Sequence, residues 1–183
     1  MKDVAIHVAK LMAAAARTAP KGGGKDFLEI VVIEAETDLK RIAEKMREYA
    51  PKSTNEPYWL RDAANIEGAQ ALVLIGLAQS HAAGYDCGGC GYPSCKEFEK
   101  NRNFQEKDLG YGGPHCVMRM MDIGVALCSA AKTASLLNVD NRIQQRVGAA
   151  ARALGLIQAD AVMGIPVGIY GKSIFFDRKT PGK

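Results

Sequence analysis

The chain lacks what marks a membrane, exported or nucleic-acid-binding protein. Its clearest apolar run, residues 71–78, falls far short of the roughly 20 residues that cross a bilayer. The alanine-rich first 19 residues hold no unbroken apolar core of an export signal, because Asp3, His7, Lys10 and Arg17 interrupt them. Lys and Arg form no dense run interleaved with aromatics, and a net charge of +4 is too mild to call for nucleic acid. No internal repeat and no long disordered linker break the chain. What is there is ordinary for a globular protein: 183 residues, 48% hydrophobic and 24% charged, enough for one domain (1–183) with a sizeable core. A cytoplasmic protein with reduced cysteines is the expectation.

Apolar spacing and breakers order the elements. Val4, Val8, Leu11, Met12 and Ala15 recur at helical spacing, which predicts a helix over 2–18, stopped by Pro20 and Gly22-Gly23-Gly24. The runs 27–33 and 71–77 read as buried strands. Between them lie a helix capped by Thr37 and ended by Pro51, and a second from about Tyr58 to Glu67. Residues 116–137 are apolar nearly all round, which implies a buried helix or a subunit interface. Asp140 is a cap for a further helix carrying Ile143, Val147 and Leu154 and closed by Gly155. Runs 161–165 and 173–176 are the last two strands. This order predicts an α+β domain, a sheet with helices on both faces.

Residues 80–116 differ in composition. They are glycine-rich and hold Cys87, Cys90, Cys95 and Cys116, spaced Cys-x2-Cys-x4-Cys-x20-Cys, with a short helix over 95–103. Four thiolates from one curled loop and one distant segment can enclose a cubane 4Fe–4S cluster. Gly88, Gly89 and Gly91 let loop backbone approach the sulfurs, whose N–H hydrogen bonds tune a cluster's potential. Cys116 opens the apolar run, where a helix N-terminus favours a thiolate. Structural zinc is the competing occupant, although its usual second Cys-x2-Cys pair is missing; ordinary free thiols are the third possibility. His81 and His115 flank the loop and read as outer-layer or surface residues. Cys128, in an apolar stretch, reads as core. Met118, Met120 and Met121 read as packing of the helix over 116–137.

Other motifs carry less. Lys21 and Lys25 flank three glycines that either cradle a phosphate or simply turn the chain. Gly171-Lys172-Ser173 lacks the upstream glycine of a nucleotide-binding P-loop, since Pro166 stands there. Asp62, Glu67, Asp122 and Asp140 read as caps or hydrogen-bond acceptors at the core edge.

The loop Cys87-Gly-Gly-Cys90-Gly-Tyr-Pro-Ser-Cys95 with the distant Cys116 resembles the cluster domain of corrinoid iron–sulfur proteins and of the ferredoxin-like subunit of Rnf-type electron-transport complexes. That resemblance implies a 4Fe–4S cluster on these four cysteines. The whole chain is similar to a prokaryotic family of ferredoxin-domain-containing proteins, through the segments 17–24, 61–65, 140–142, 164–168 and 175–178 as well as the cysteine loop. The order of elements is also similar to that of nitroreductases, which bind FMN at the interface of an intertwined homodimer. That implies a nitroreductase-like mixed sheet flanked by helices, with an inserted cluster loop at 80–116. It also implies a homodimer, with Arg17, Thr18, Lys21 and Gly23 facing a flavin and Lys172 its phosphate. Three functions follow as expectations: a redox protein passing electrons to or from a partner protein, a flavin-dependent reductase fed by the cluster, and a zinc-stabilised interaction module.

Overall fold

The computed structural model describes residues 1–78 and 80–177. Helix α1 (Lys2–Thr18) leads through the turn Gly22–Gly24 into strand β1 (Leu28–Ile33). Helices α2 (Glu36–Tyr49) and α3 (Glu56–Glu67) run out and back as a hairpin to β2 (Ala71–Leu77). A long excursion contains the short helix α4 (Cys95–Asn101) and ends at α5 (Val117–Leu136). Strand β3 (Asp140–Asn141), helix α6 (Arg146–Ala153) and strand β4 (Ala161–Gly168) complete the fold.

The four strands lie in the order β1-β2-β4-β3. All three pairings among the described residues are antiparallel, where a mixed sheet is the expectation. The reason is local: two helices between β1 and β2 return the chain to the end of the sheet it left. The helix-flanked α+β architecture otherwise stands as expected.

Side chains alternate across β2, so its two faces serve two cores. Ala71, Val73, Ile75 and Leu77 face α1 and α5. Leu72 and Leu74 face α2, α3 and α6. A strand covered on both sides needs apolar residues at every position, and all seven are buried. Two glycines set the closeness of the second layer. A Cβ on Gly148 of α6 would sit 2.0 Å from the Val162 carbonyl oxygen, and one on Gly164 of β4 2.5 Å from Val147 Cγ1.

Several expected boundaries are corrected. Thr37 lies inside α2, whose N-cap is Ala35; Glu36 and Asp38 supply first-turn negative charge instead. Asp140 does not cap α6, because Asp140 and Asn141 pair with Gly168 and Val167, and Gln144 bridges to Gly164. Residues 173–176 form no strand; Phe175 is buried as part of an irregular strap whose carbonyl accepts from Arg142 at 2.7 Å. Arg178, one of the motif residues, lies outside the described residues. Among those described, no helix is long and apolar enough to cross a membrane.

Candidate metal centre and the adjoining glycine turn

The excursion is tied down at its start. Arg102 donates to the Ser80 carbonyl at 3.1 Å and pairs with Glu99 at 3.3 Å. Glu99 in turn accepts the Ala82 N–H. Phe98 of α4 is fully buried, between Tyr92 at 5.6 Å and the Arg102 guanidinium at 5.5 Å. The sequence explains α4 itself: Ser94 caps it, its hydroxyl accepting from the Glu97 N–H at 3.2 Å. Cys95 is therefore its first helical residue.

Asp86 closes the loop that carries the first three cysteines. Its carboxylate accepts the Cys95 N–H at 2.6 Å, and its own N–H donates to Cys95 Sγ at 3.4 Å. Gly88 and Gly91 turn the chain at φ 70° and 85°, conformations that other L-residues resist. Gly89 then lies on the start of α5: a Cβ there would meet Val117 Cγ1 at 2.6 Å. Cys116 is the N-cap of α5 and is buried, whereas Cys87 is exposed and Cys90 and Cys95 are half-buried. The backbone thus seats the cysteine loop on the residue that follows Cys116. Among the described residues, no three His, Cys, Asp or Glu side chains gather within reach of one metal ion. The structure brings the two cysteine-bearing segments together without drawing the sulfur atoms into one shell. The donor set fits an iron–sulfur group: four thiols, one already accepting a backbone N–H, as cluster sulfurs do.

His115, next to Cys116, packs edge-on to Phe104 at 5.8 Å, and both its ring nitrogens are buried without a partner. Burial pushes its imidazole below the ordinary histidine range and pushes the Asp160 carboxyl up. His81 is exposed. Cys128 corrects the expectation of a core residue: it is exposed on the outer side of α5, because only one side of that helix meets α1 and β2. Met121 shares that outer side at 56% exposed, while Met120 packs on the core.

The flavin candidates fall into two places. Arg17, Thr18, Lys21 and Gly23 are neighbours at the end of α1. Arg17 donates to Asp26 at 2.7 Å and to the Leu28 carbonyl at 2.8 Å. Thr18 bonds back to the Ala14 carbonyl. The Lys21 ammonium is spent on α1 itself, donating to the carbonyls of Ala16, Arg17 and Ala19 at 2.7–3.3 Å. Gly23 stands at φ 65°, and a Cβ there would lie 3.4 Å from the Tyr85 hydroxyl. The glycine turn therefore borders the cysteine loop. Lys172 belongs to the strap, which is fixed at the other end of the sheet: the Ile169 N–H donates to Gln70, next to the start of β2, and Lys172 pairs with Asp177 at 3.0 Å. Leu28 pairs with Leu77, so the length of β2, about 20 Å, separates the two anchor points. One chain does not gather all five residues.

Asp26 gives this corner a pH dependence. Burial acts to raise its carboxyl pKa, but the Arg17 hydrogen bond, the Leu28 N–H and the charges of Arg17 and Lys21 outweigh it and hold the carboxyl below its ordinary value. A lowered folded-state value stabilises the protein above the unfolded carboxylate's pKa of about 3.9, and that contribution is lost as pH falls through the folded value. Asp26→Asn should remove part of the acid-induced loss of stability seen in chemical denaturation below about pH 4, and an unchanged acid limb would contradict this role.

One residue of the site, Arg119, escaped the sequence reading, whereas Asp122 is the expected hydrogen-bond acceptor at the core edge. Arg119 is 1% exposed and pairs with Asp122 at 3.0 Å. Asp122 accepts the Gly22 N–H at 2.8 Å. The available signal was two opposite charges three residues apart in the apolar first half of α5.

In fold, the chain is like flavin-binding nitroreductases. A nitroreductase with bound FMN from Bacteroides fragilis superposes with a TM-score of 0.60 at 14% identity, covering 96% of this chain and 83% of that one. A BluB-like flavoprotein from Clostridium difficile gives 0.57 at 16% identity, covering 97% and 84%. An uncharacterized protein of Archaeoglobus fulgidus is 43% identical over 178 residues, 97% of this chain and 94% of that protein. The chain belongs to the family described as uncharacterized proteins containing a ferredoxin domain, whose pattern matches residues 112–178. That stretch takes in Cys116 and begins after the cysteine loop.

Proposed function

We propose that the protein is an iron–sulfur redox protein holding one 4Fe–4S cluster on Cys87, Cys90, Cys95 and Cys116 and exchanging electrons with a redox partner protein. The observation that supports this most is the close approach of Gly89 to Val117, which brings the glycine-rich loop that carries three of the cysteines to the residue that follows Cys116. Membership of a ferredoxin-domain family points the same way. When bound, such a cluster accepts and gives back one electron. The chain's own part is to supply four thiolates, to direct the Asp86 N–H at Cys95 Sγ, and to brace the loop through Phe98, Glu99 and Arg102. Anaerobic reconstitution of the Cys95→Ser variant should give colourless protein, while Cys128→Ser should turn brown like the parent. The reverse pattern would overturn the ligand assignment.

A second function is supported by the fold likeness and by the contact of Gly23 with Tyr85: an FMN-dependent reductase in which the cluster feeds a flavin at the Gly22–Gly24 turn. Arg17, Thr18 and Gly23 then border the flavin, Lys21 shapes the turn by capping α1, and Lys172 joins only from a second copy. A homodimer through the outer side of α5 fits both functions, because Met121, Val125 and Leu136 are exposed there at 56%, 42% and 68%. Val125→Lys should shift light scattering from dimer to monomer while changing stability by no more than about 0.5 kcal/mol. A parent protein that already scatters as a monomer would remove this interface.

A further inference from the structure

The buried pair Arg119–Asp122 does more than neutralise itself. Arg119 Nη1 donates to the Gly22 carbonyl at 2.8 Å and the Lys25 carbonyl at 3.5 Å, as well as to Asp122. Its Nε donates to the His81 carbonyl at 3.3 Å, and its guanidinium lies 4.8 Å from the Phe27 ring centre. Asp122 holds the Gly22 N–H, so this glycine is gripped at both backbone groups. One side chain thus ties the glycine turn, the first residues of the excursion and the first turns of α5, three residues beyond Cys116.

A buried ion pair is no strong source of stability; apolar groups of similar volume often serve as well. What they lack is the planar fork of donors that holds several carbonyls at once, and lysine lacks it too. We propose that Arg119 is a positioning residue: it fixes the Gly22–Gly24 turn against the cysteine segment, so that ordering one orders the other. This rests on the cysteines holding a cluster, as above.

Amide hydrogen exchange on the full chain tests this in two arms. In metal-free protein, Arg119→Lys should speed exchange at residues 22–25 and 82–85 about tenfold or more, while the amides of β2 stay within about twofold of the parent. The double variant Arg119→Met/Asp122→Leu, which removes the pair without leaving an unpaired charge, should do the same if the single variant folds poorly. Lysine restoring parental exchange, or a folded double variant with an unchanged turn, would overturn the proposal. In the second arm, the parent is loaded with iron and sulfide. Loading should slow exchange at residues 22–25 about fivefold or more, and Arg119→Lys with equal iron should show no such slowing. Parent protein that takes up iron with no change at the turn would also overturn it. Parent protein that takes up no iron would sink the cluster assignment instead, and the metal-free arm would still decide the role of Arg119.

Discussion

Cys116→Ala is expected to leave the fold standing and to abolish the four-iron cluster. Cys116 is 2% exposed and sits at the N-cap of α5, where no side-chain hydrogen bond depends on it. Truncation to alanine removes one sulfur from a buried site, a cost of about 1–2 kcal/mol, small against the 5–15 kcal/mol of a typical domain. Metal binding is a different matter. In the proposed site the loop supplies three thiolates and Cys116, at the N-cap of α5, supplies the fourth. Without it a corner of the proposed cube would be open to solvent. Iron per chain should fall from about four to below one after desalting, with the apo protein's denaturation midpoint nearly unchanged. Serine is the poorer test, because a buried hydroxyl without a partner adds about 1–3 kcal/mol of its own. Full iron retention in Cys116→Ala would show that the fourth ligand lies elsewhere.

Gly148→Ala should have the largest effect on stability. In an isolated helix the change favours helix by about 1 kcal/mol. Here the added Cβ would lie 2.0 Å from the Val162 carbonyl oxygen and 2.5 Å from its carbonyl carbon. Both are backbone of β4, so no side chain can swing away. Helix α6 has to lift off the sheet by more than an ångström, which disturbs Val147 over Gly164 and the Gln144–Gly164 bridge. Overpacking of this kind costs about 3 kcal/mol or more, read as a lowered urea midpoint. Gly124→Ala in α5 is the control: its Cβ would meet nothing within 4 Å, and the same substitution should be neutral or stabilising by up to about 1 kcal/mol. Equal effects at the two sites would contradict the packing of α6 on β4.

Sequence alone reached the elements whose signal is local. Helix α1 and strand β2 match their expected bounds, because apolar residues recur at helical spacing along α1, with Val8 and Met12 buried though Val4 and Leu11 are exposed, and β2 has apolar residues throughout. The four cysteines stood out through spacing and glycine content. What long-range contacts decide was not legible. Asp140 and Asn141 look like a helix start and become a strand, since β4 offers them partners. The run at 173–176 has the composition of a strand, yet Phe175 is buried against Tyr170 at 6.1 Å and no neighbouring strand receives it. Lys21 flanks glycines that could cradle a phosphate or turn the chain, and nothing in the spacing shows that its ammonium donates to three carbonyls at the end of α1. The grip of Arg119 on Gly22 joins residues 97 apart, and spacing carries no trace of that.

The most direct test is the metal and sulfide content of the full chain after anaerobic reconstitution. About four iron atoms and four sulfides per chain, lost together on replacing any of Cys87, Cys90, Cys95 or Cys116, is the expected result. One zinc ion with no sulfide, or no bound metal at all, would contradict it.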